Sequence, residues 1–251
     1  AKKYKNQLDA GLYPVRCNKI LLNIIEQTNA GMYAAINKGF TQATGDIYAW
    51  INADDLYQEG ALHSMQKAFS TFGEARWVKG VTATFQDGSK ILESEGCKIY
   101  HHDWLSMGVY GMEAYFIAQD SVFWRSNLWK QGGPIPSNYR SAGDYWLWLS
   151  FAKYAPLWSL NASISCFRKR EGQISKGVKK YKCEQGEARG GRPVGAWIPR
   201  LFFYPYYHSP QIVRNLLEFL YPILFFSKPR GYIALENDKA ILRTMPSFII
   251  R

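Results

Sequence analysis

The sequence has few cysteines and lacks the long apolar segments that mark secreted and membrane-spanning proteins. Its four cysteines form no Cys-x-x-Cys pair, so they indicate a reducing compartment and no structural zinc site. No uninterrupted apolar run reaches the roughly 20 residues that a spanning helix needs. The basic N-terminal segment AKKYKNQLDA has no apolar stretch typical of a signal peptide. These absences predict a cytoplasmic protein.

Acidic residues are also scarce relative to basic ones. The chain of 251 residues has 31 lysines and arginines against 20 acidic residues, a formal net charge of +11. This excess favours anionic partners, which include nucleotide diphosphates, nucleic acid and anionic lipid. No nucleic-acid-binding motif is present, so we expect no nucleic-acid partner. With 47% hydrophobic residues, the chain is predicted to be globular, with one large domain or two small ones.

The most informative stretch runs from Glu26 to Ala61. It predicts a glycine-bearing loop, a helix over Met32–Ala43 and a short buried strand over Asp46–Ile51. The helix follows from apolar residues at three- and four-residue steps, and the strand from a short apolar run between a glycine and carboxylates. Ligands of open α/β sheets bind beyond the carboxyl ends of the strands, where Asp54 and Asp55 are expected. We therefore predict that these carboxylates hold a cation.

Three groups of motifs, in a fixed order, resemble those of family-2 glycosyltransferases. They are GMYAAINKGFTQATGDIYAWINADDLYQEGAL, then AQDSVFWRSNLWKQGG with SAGDYWLWLSFA, and then FRKREGQIS. The resemblance covers roughly residues 20–175. It implies an α/β fold of the GT-A type, a Rossmann-like mixed sheet flanked by helices. It also implies an inverting transfer of a sugar from a nucleotide-diphosphate donor to a glycan or lipid-linked acceptor, with a divalent metal, Mn²⁺ or Mg²⁺, as cofactor.

The N-terminal part of the sequence departs from the family pattern. Members of the family begin with two strand-helix units of about 30 residues each, which end in Pro-Ser-Tyr-Asn and Asp-Gly-x-Ser-x-Asp type runs. Neither run occurs here, so the catalytic domain is predicted to be N-terminally truncated. In the family these units carry much of the nucleotide pocket. The alternative is therefore a non-catalytic relic or partner subunit of such a transferase, although the retained Asp54 and Asp144 favour an enzyme.

The resemblance assigns Asp144 as the catalytic base. This residue opens a predicted helix in which Leu147, Trp148 and Phe151 share one face. The base of an inverting transfer takes the proton of the acceptor hydroxyl while the acceptor oxygen attacks from the side opposite the leaving diphosphate. Without the resemblance, an aspartate at this position is more often a helix cap. The two roles are compatible, because a helix start fixes the position of the carboxylate.

The resemblance also implies metal ligands and donor contacts. The run Asn52-Ala53-Asp54-Asp55 corresponds to the family's Asp-x-Asp motif, so Asp54 and Asp55 are predicted metal ligands. Asp55 has a rival role as the cap of a turn. Lys38, without the resemblance, would be a solvated helix lysine. The predicted substrate-binding residues are Gly31, Asn37, Lys38, Asn52, Gln119, Arg168, Arg170, Gln173 and Ser175.

Hydrophobic patterns predict several further elements. Lys19–Ile25 indicates a buried parallel strand, apolar on both faces. The alternation in Arg76–Phe85, followed by Asp87-Gly88, predicts a hairpin whose returning strand is Lys90–Tyr100. A helix is predicted over Ser121–Lys130.

The sequence is predicted to divide into a partial catalytic domain, a basic flexible linker or lid, and an aromatic-rich, mainly helical extension, over residues 1–175, 176–196 and 197–251. Within the extension, Ile212–Phe226 predicts an amphipathic helix. One interpretation is an interfacial helix, flanked by Lys228 and Arg230, that brings the enzyme to the inner face of the membrane and to lipid-linked acceptors. The other is a helix that packs against the catalytic domain or a second subunit.

Overall fold

A computed structural model describes most of the chain, namely residues 1–15, 17–28, 31–86, 91–94, 96–111, 114–169, 178–191, 197–224, 230–245 and 249–250. The helices in these ranges are α1 (Lys2–Asp9), α2 (Met32–Gln42), α3 (Ala61–Thr71), α4 (His102–Ser106), α5 (Ser126–Gly132), α6 (Gly143–Ala152), α7 (Val178–Ala188), α8 (Trp197–His208) and α9 (Gln211–Leu224). The strands are β1 (Ile47–Tyr48), β2 (Leu56–Tyr57), β3 (Trp77–Gln86), β4 (Ile91–Ser94), β5 (Cys97–Lys98), β6 (Val122–Arg125), β7 (Trp158–Lys169), β8 (Arg230–Glu236), β9 (Lys239–Met245) and β10 (Ile249–Ile250).

Within the described residues, the main sheet has eight strands. Its order is β1-β6-β3-β7-β8-β9, and β4 pairs with β3 while β2 pairs with β7. The central strands β3 and β7 run parallel, as do β7 and β8, and the other pairs of this sheet are antiparallel. The strands β5 and β10 form a separate two-stranded sheet. The predicted α/β architecture, a mixed sheet flanked by helices, is confirmed.

Two apolar clusters cover the opposite faces of the sheet. In the first, Trp77 of β3 and Trp124 of β6 pack against Trp148 and Phe151 of α6, and all four side chains are buried. The second is formed by α3 with alternate residues of β3, β6 and β7. Burial of each large apolar side chain contributes about 1.5–3 kcal/mol. The first cluster therefore fixes α6, the helix that carries Asp144, to the sheet.

The helices α2 and α6 form where the sequence predicts them. The helix α2 begins at Met32, as predicted, and ends at Gln42. The helix α6 begins at Gly143, and its predicted apolar face is buried. The strand predicted over Asp46–Ile51 is shorter than expected, because only Ile47–Tyr48 pairs with a neighbouring strand.

Lys19–Ile25 is not the buried parallel strand that its composition predicts. These residues are irregular, and most of their side chains are exposed, including Leu21 and Ile24. A buried strand needs a neighbour that pairs with its backbone groups, and no strand in the described part of the chain pairs with this segment. An apolar run alone does not carry that information.

The predicted hairpin is present, but its strands differ from the prediction. The first seven residues of β3 are all buried, so the alternation of residue types does not mark an exposed face. The reason is that β3 lies in the middle of the sheet, between β6 and β7, with both faces covered. The returning strand is interrupted, because β4 pairs with β3 whereas β5 pairs with β10. The turn residues Asp87 and Gly88 lie outside the described residues.

Residues 122–125 form a strand rather than part of the helix predicted over Ser121–Lys130. The strand β6 pairs with both β1 and β3, and α5 begins only at Ser126. Val122, Phe123 and Trp124 are all buried in the sheet. A short apolar run fits either a strand or a helix, and pairing on both sides favours the strand.

The segments after residue 175 contain more regular structure than predicted. The helix α7 lies inside the predicted linker or lid, and its Glu184 and Gln185 are buried. The C-terminal extension begins with two helices, as expected, but β8 and β9 then join the main sheet beside β7. Among the described residues of the extension, the two helices come first and the strands follow. The pairing of β8 with β7 links distant parts of the chain, and local periodicity could not reveal it.

Candidate active site

Asn52–Asp55 forms a turn that connects β1 to β2. The backbone N–H of Asp55 donates to the carbonyl of Asn52 at 3.1 Å, and Nδ2 of Asn52 donates to Oδ2 of Asp55 at 3.1 Å. The backbone N–H of Arg168, in β7, donates to Oδ1 of Asp55 at 3.0 Å. Burial raises the pKa of Asp55, the hydrogen bonds from Arg168 and Asn52 oppose that increase, and the charge of Asp54 adds to it. Asp55 thus joins the turn to a central strand of the sheet.

The two carboxylates of the turn differ in how accessible they are to a cation. Asp55 is buried and both of its oxygens accept protein hydrogen bonds, whereas Asp54 is partly exposed. Such oxygen ligands suit Mg²⁺ and Mn²⁺, which also bind phosphate oxygens and water. In the described part of the chain, no group of three His, Cys, Asp or Glu side chains could hold a metal ion. A cation here would need ligands from a bound substrate, and Asp54 is the better-placed protein ligand.

A buried polar cluster in the sheet lies next to β2. Its members are Lys79, Thr82, Asp120, Ser121 and Ser165. Oγ1 of Thr82 donates to Oγ of Ser121 at 2.9 Å, and Oγ of Ser165 donates to Oγ1 of Thr82 at 3.2 Å. Burial raises the pKa of Asp120 to about 6, while Ser165 and Lys79 favour its charged form. Because β2 pairs with β7 at Ser165, this cluster supports the strand that follows the turn. The sequence did not predict this cluster, because its members are isolated polar residues within apolar segments.

Asp144 lies in the first turn of α6, and its side chain is partly buried. The backbone N–H of Tyr145 donates to Oδ1 of Asp144 at 2.8 Å, and the O–H of Tyr181, in α7, donates to the same oxygen at 3.1 Å. Burial raises the pKa of Asp144 to about 6, although both hydrogen bonds act in the opposite direction. The nearby charge of Glu184 also raises this pKa. The carboxyl group is therefore ionised at neutral pH and basic enough to accept a proton.

Asp144 is not the N-cap of α6, because Ala142 occupies that position. The backbone N–H groups of Arg140, Ser141 and Ala142 all donate to the buried carboxylate of Glu184, at 2.8–3.1 Å. Burial raises the pKa of Glu184, but these hydrogen bonds outweigh it and lower the pKa below its usual value. A residue of α7 therefore holds the segment that leads into α6. Asp144 is not needed for that purpose.

Two residues in or next to α2 that the sequence predicts to bind substrate pack against the segment that leads into α6. Gly31 is the N-cap of α2 with a φ of 83°, and a Cβ there would lie 2.7 Å from Nη1 of Arg140. Nδ2 of Asn37 donates to the carbonyl of Ile135 at 2.7 Å, and Oδ1 of Asn37 accepts from the N–H of Ile135 at 3.0 Å. Gly31 and Asn37 thus help to place the segment before Asp144, and their contacts with substrate stay predictions.

The remaining residues that are predicted to bind substrate lie in different elements of the structure. Lys38 is exposed, and its Nζ donates to the carbonyl of Glu26 at 3.2 Å. Gln119 is partly buried, and its Oε1 has no hydrogen-bond partner in the described structure. The Cζ of Arg168 lies 5.2 Å from the ring centroid of Phe85, beside the turn that its backbone contacts. Three predicted contacts lie outside the described residues, namely Arg170, Gln173 and Ser175.

Residues 15–106, which include α2, the Asn52–Asp55 turn and β3, match the sequence model of glycosyl transferase family 2. Over this stretch the chain is similar to that family. The mixed sheet flanked by helices is the architecture that the resemblance to this family predicts. No curated protein sequence gives a significant match to this chain.

Solved structures similar to this chain include two of TarS from S. aureus. The crystal structure of TarS 1-349 is 12% identical in sequence and has a TM-score of 0.43. The alignment covers 89% of this chain and 80% of the TarS chain. The crystal structure of TarS 1-349 in complex with UDP-GlcNAc is 13% identical, with coverages of 87% and 78% and a TM-score of 0.45.

Proposed function

We propose that this protein is a glycosyltransferase, which moves a sugar from a nucleotide-diphosphate donor to a hydroxyl group of a glycan or lipid-linked acceptor with inversion at the anomeric carbon. The observation that carries the proposal is the environment of Asp144. Its carboxylate lies at the start of a helix held in the core, and burial raises its pKa to about 6. A base of this strength is ionised at neutral pH and close to the optimum for proton transfer.

In the proposed reaction, Asp144 accepts the proton of the acceptor hydroxyl. The acceptor oxygen forms a bond to the anomeric carbon while the bond from that carbon to the diphosphate oxygen breaks. The electron pair of the broken bond leaves with the nucleoside diphosphate. Attack and departure on opposite sides of the carbon invert its configuration, and a single carboxylate base is enough for such a displacement.

Asp54 would hold the divalent cation, and the buried Asp55 would keep the turn in place. When bound, Mn²⁺ or Mg²⁺ neutralises charge on the diphosphate as it leaves. The predicted role of Asn52 is a ribose or water-mediated contact. Lys38, Arg168 and Arg170 are proposed to face the diphosphate, because cationic side chains form short, charge-assisted hydrogen bonds to phosphate oxygens.

We also propose that the protein binds peripherally to the inner face of the membrane through α9. Ile212, Leu216 and Phe219 are 83%, 55% and 70% exposed, whereas Leu217 packs against the core. An exposed apolar stripe and a net charge of +11 suit a surface of anionic lipid. No helix in the described part of the chain is long and apolar enough to cross a membrane.

Flotation with liposomes tests the membrane proposal. The wild-type chain should float with vesicles that contain phosphatidylglycerol, and Ile212→Asp with Phe219→Asp should abolish flotation. Leu12→Asp, at an exposed leucine of the N-terminal segment, is the control. Point variants are preferable to removal of residues 197–251, because β8 and β9 belong to the main sheet. Equal flotation of the double variant and the wild type would reject the proposal.

Calorimetric titration of the 251-residue chain with UDP and with GDP, each with and without Mn²⁺, tests the proposed donor class. Metal-dependent binding of either nucleotide is expected, followed by slow hydrolysis of the matching nucleotide sugar. If the folded chain binds neither nucleotide, the proposed function is wrong for this chain, and the alternative of a non-catalytic relic or partner subunit gains support.

A further inference from the structure

The helix α7 supplies two side chains to the start of α6. Tyr181 and Glu184 are three residues apart, so they lie on the same face of α7. Tyr181 donates to Oδ1 of Asp144 at 3.1 Å, and Glu184 accepts three backbone N–H groups just before α6. The next residue, Gln185, is completely buried, so this face of α7 is firmly packed.

We propose that Tyr181 and Glu184 are positioning residues for the catalytic base. Tyr181 orients the carboxylate of Asp144, and Glu184 fixes the backbone that carries it. This inference rests on the proposed function, because it assigns both residues to the action of Asp144.

Tyr181 restricts which carboxylate oxygen meets the acceptor. Both hydrogen bonds described for the carboxylate of Asp144, from Tyr145 and Tyr181, fall on Oδ1. They oppose rotation about the Cβ–Cγ bond, because rotation would break both of them. Oδ2 is therefore the oxygen directed to the acceptor hydroxyl. Catalytic geometry of this kind depends on neighbours that hold the reacting group within a fraction of an ångström.

The backbone before Asp144 is held from two sides. On one side, the carboxylate of Glu184 accepts the N–H groups of the segment. On the other, the O–H of Tyr33, in α2, donates to the carbonyl of Ser141 at 2.9 Å. Gly143 allows this contact, since a Cβ there would lie 2.7 Å from the ring of Tyr33. Residues of α2 and α7 thus place the first turn of α6 together.

The groups that face Asp144 from these helices do not titrate near neutral pH. Burial raises the pKa of Tyr33 and of Tyr181, so both stay neutral and Tyr181 remains a hydrogen-bond donor. Glu184 stays ionised, because its backbone hydrogen bonds outweigh burial and lower its pKa. An acid limb in the pH profile would therefore not come from Tyr33, Tyr181 or Glu184, and the direct titration of Asp144 assigns it.

The two α7 residues have opposite expected effects on that acid limb. Tyr181→Phe removes a donor that favours the ionised carboxylate, so the limb should move to higher pH. Glu184→Gln removes a negative charge that favours the protonated form, so the limb should move to lower pH. Each variant should lower the plateau kcat about tenfold, because the base is less well held. A merely structural role would not shift the limb in opposite directions.

The experiment measures hydrolysis of UDP-glucose and GDP-mannose against pH by the full chain and its variants. The side-chain carboxyl of Asp144 is titrated by ¹³C NMR in the same proteins, which gives a readout that needs no turnover. The controls are Tyr154→Phe and, on α7 itself, Glu187→Gln, both at exposed positions. Binding of UDP or GDP should be unchanged in every variant.

The outcomes separate this inference from the proposed function. If Asp144→Asn retains turnover, Asp144 is not the base and the proposed function is wrong. If Asp144→Asn is inactive but Tyr181→Phe and Glu184→Gln keep the wild-type kcat and the wild-type pKa of Asp144, only the positioning role is overturned. Should a variant fail to fold, the NMR titration of the other one still decides the question.

Discussion

The two acidic sites of this protein hold their carboxylates in different ways. Asp55 is fixed by a backbone N–H of β7 on one oxygen and by Asn52 on the other. In the described part of the chain, the hydrogen bonds to the carboxylate of Asp144 come from the N–H of Tyr145 and the O–H of Tyr181, and both fall on Oδ1. Burial raises the pKa of both carboxyl groups, to about 6 in the case of Asp144.

This difference suggests that residue type alone does not assign a role to a carboxylate. A buried aspartate with both oxygens engaged by the protein is suited to hold a turn in place. A neighbouring, partly exposed aspartate such as Asp54 is better suited to bind a cation. An aspartate with hydrogen bonds on one oxygen and a raised pKa is suited to accept a proton. Three further experiments can break or sharpen this comparison.

Asp54→Ala should have the largest effect of the three, because it removes the proposed cation ligand. Affinity for UDP or GDP in the presence of Mn²⁺ should fall about 100-fold, while the free energy of unfolding changes by no more than about 1 kcal/mol. Calorimetry and thermal unfolding measure the two quantities. Asp9→Ala, on the exposed helix α1, is the control. Unchanged affinity would remove Asp54 from the cation site.

Asp55→Ala should act on stability instead. It leaves the N–H of Arg168 and the side chain of Asn52 without their acceptor, which should lower the free energy of unfolding by about 2 kcal/mol. Asp55→Asn keeps Oδ1 as an acceptor and should lose less. Urea unfolding at pH 7 measures the difference. If Asp54→Ala destabilises the protein as much as Asp55→Ala, the division of roles within the turn is wrong.

Asp144→Asn should change the pH dependence of stability. The pKa of Asp144 is about 6 in the folded protein, above its unfolded value of about 3.9. The stability that Asp144 contributes is therefore complete below pH 3.9 and is lost as the pH rises through 6. The variant should equal the wild type near pH 4 and exceed it by about 2 kcal/mol above pH 7.

Thermal unfolding of both proteins between about pH 4 and pH 8 checks this prediction. Asp120, whose pKa is also raised to about 6 by burial, is present in both proteins and cancels in the comparison. A constant difference across the whole range would mean that Asp144 has an ordinary pKa in the folded protein.

The sequence predicts those parts of the fold that local patterns determine. The helix α2 follows from apolar residues at helical spacing, and α6 from the apolar face that begins after Asp144. The turn residues Asn52–Asp55 are identified by the motif that they resemble. In each case the residues that carry the signal are close together in the chain.

Long-range contacts explain what the sequence could not predict. Tyr181 and Glu184 meet the start of α6 from a helix 37 and 42–44 residues away in sequence. The polar cluster around Asp120 joins β3, β6 and β7 and follows no local pattern. The segment that forms β6 fits a helix by composition. It is a strand because it pairs with β1 and β3, which are distant in sequence.

The most direct test of the central claim is the turnover of nucleotide sugar by Asp144→Asn. Release of UDP from UDP-glucose, or of GDP from GDP-mannose, should fall about 1000-fold at pH 7, while calorimetric affinity for the nucleotide stays within about twofold of the wild type. Asp103→Asn, at an exposed position in α4, should behave as the wild type. Wild-type turnover by Asp144→Asn would contradict the assignment of Asp144 as the base.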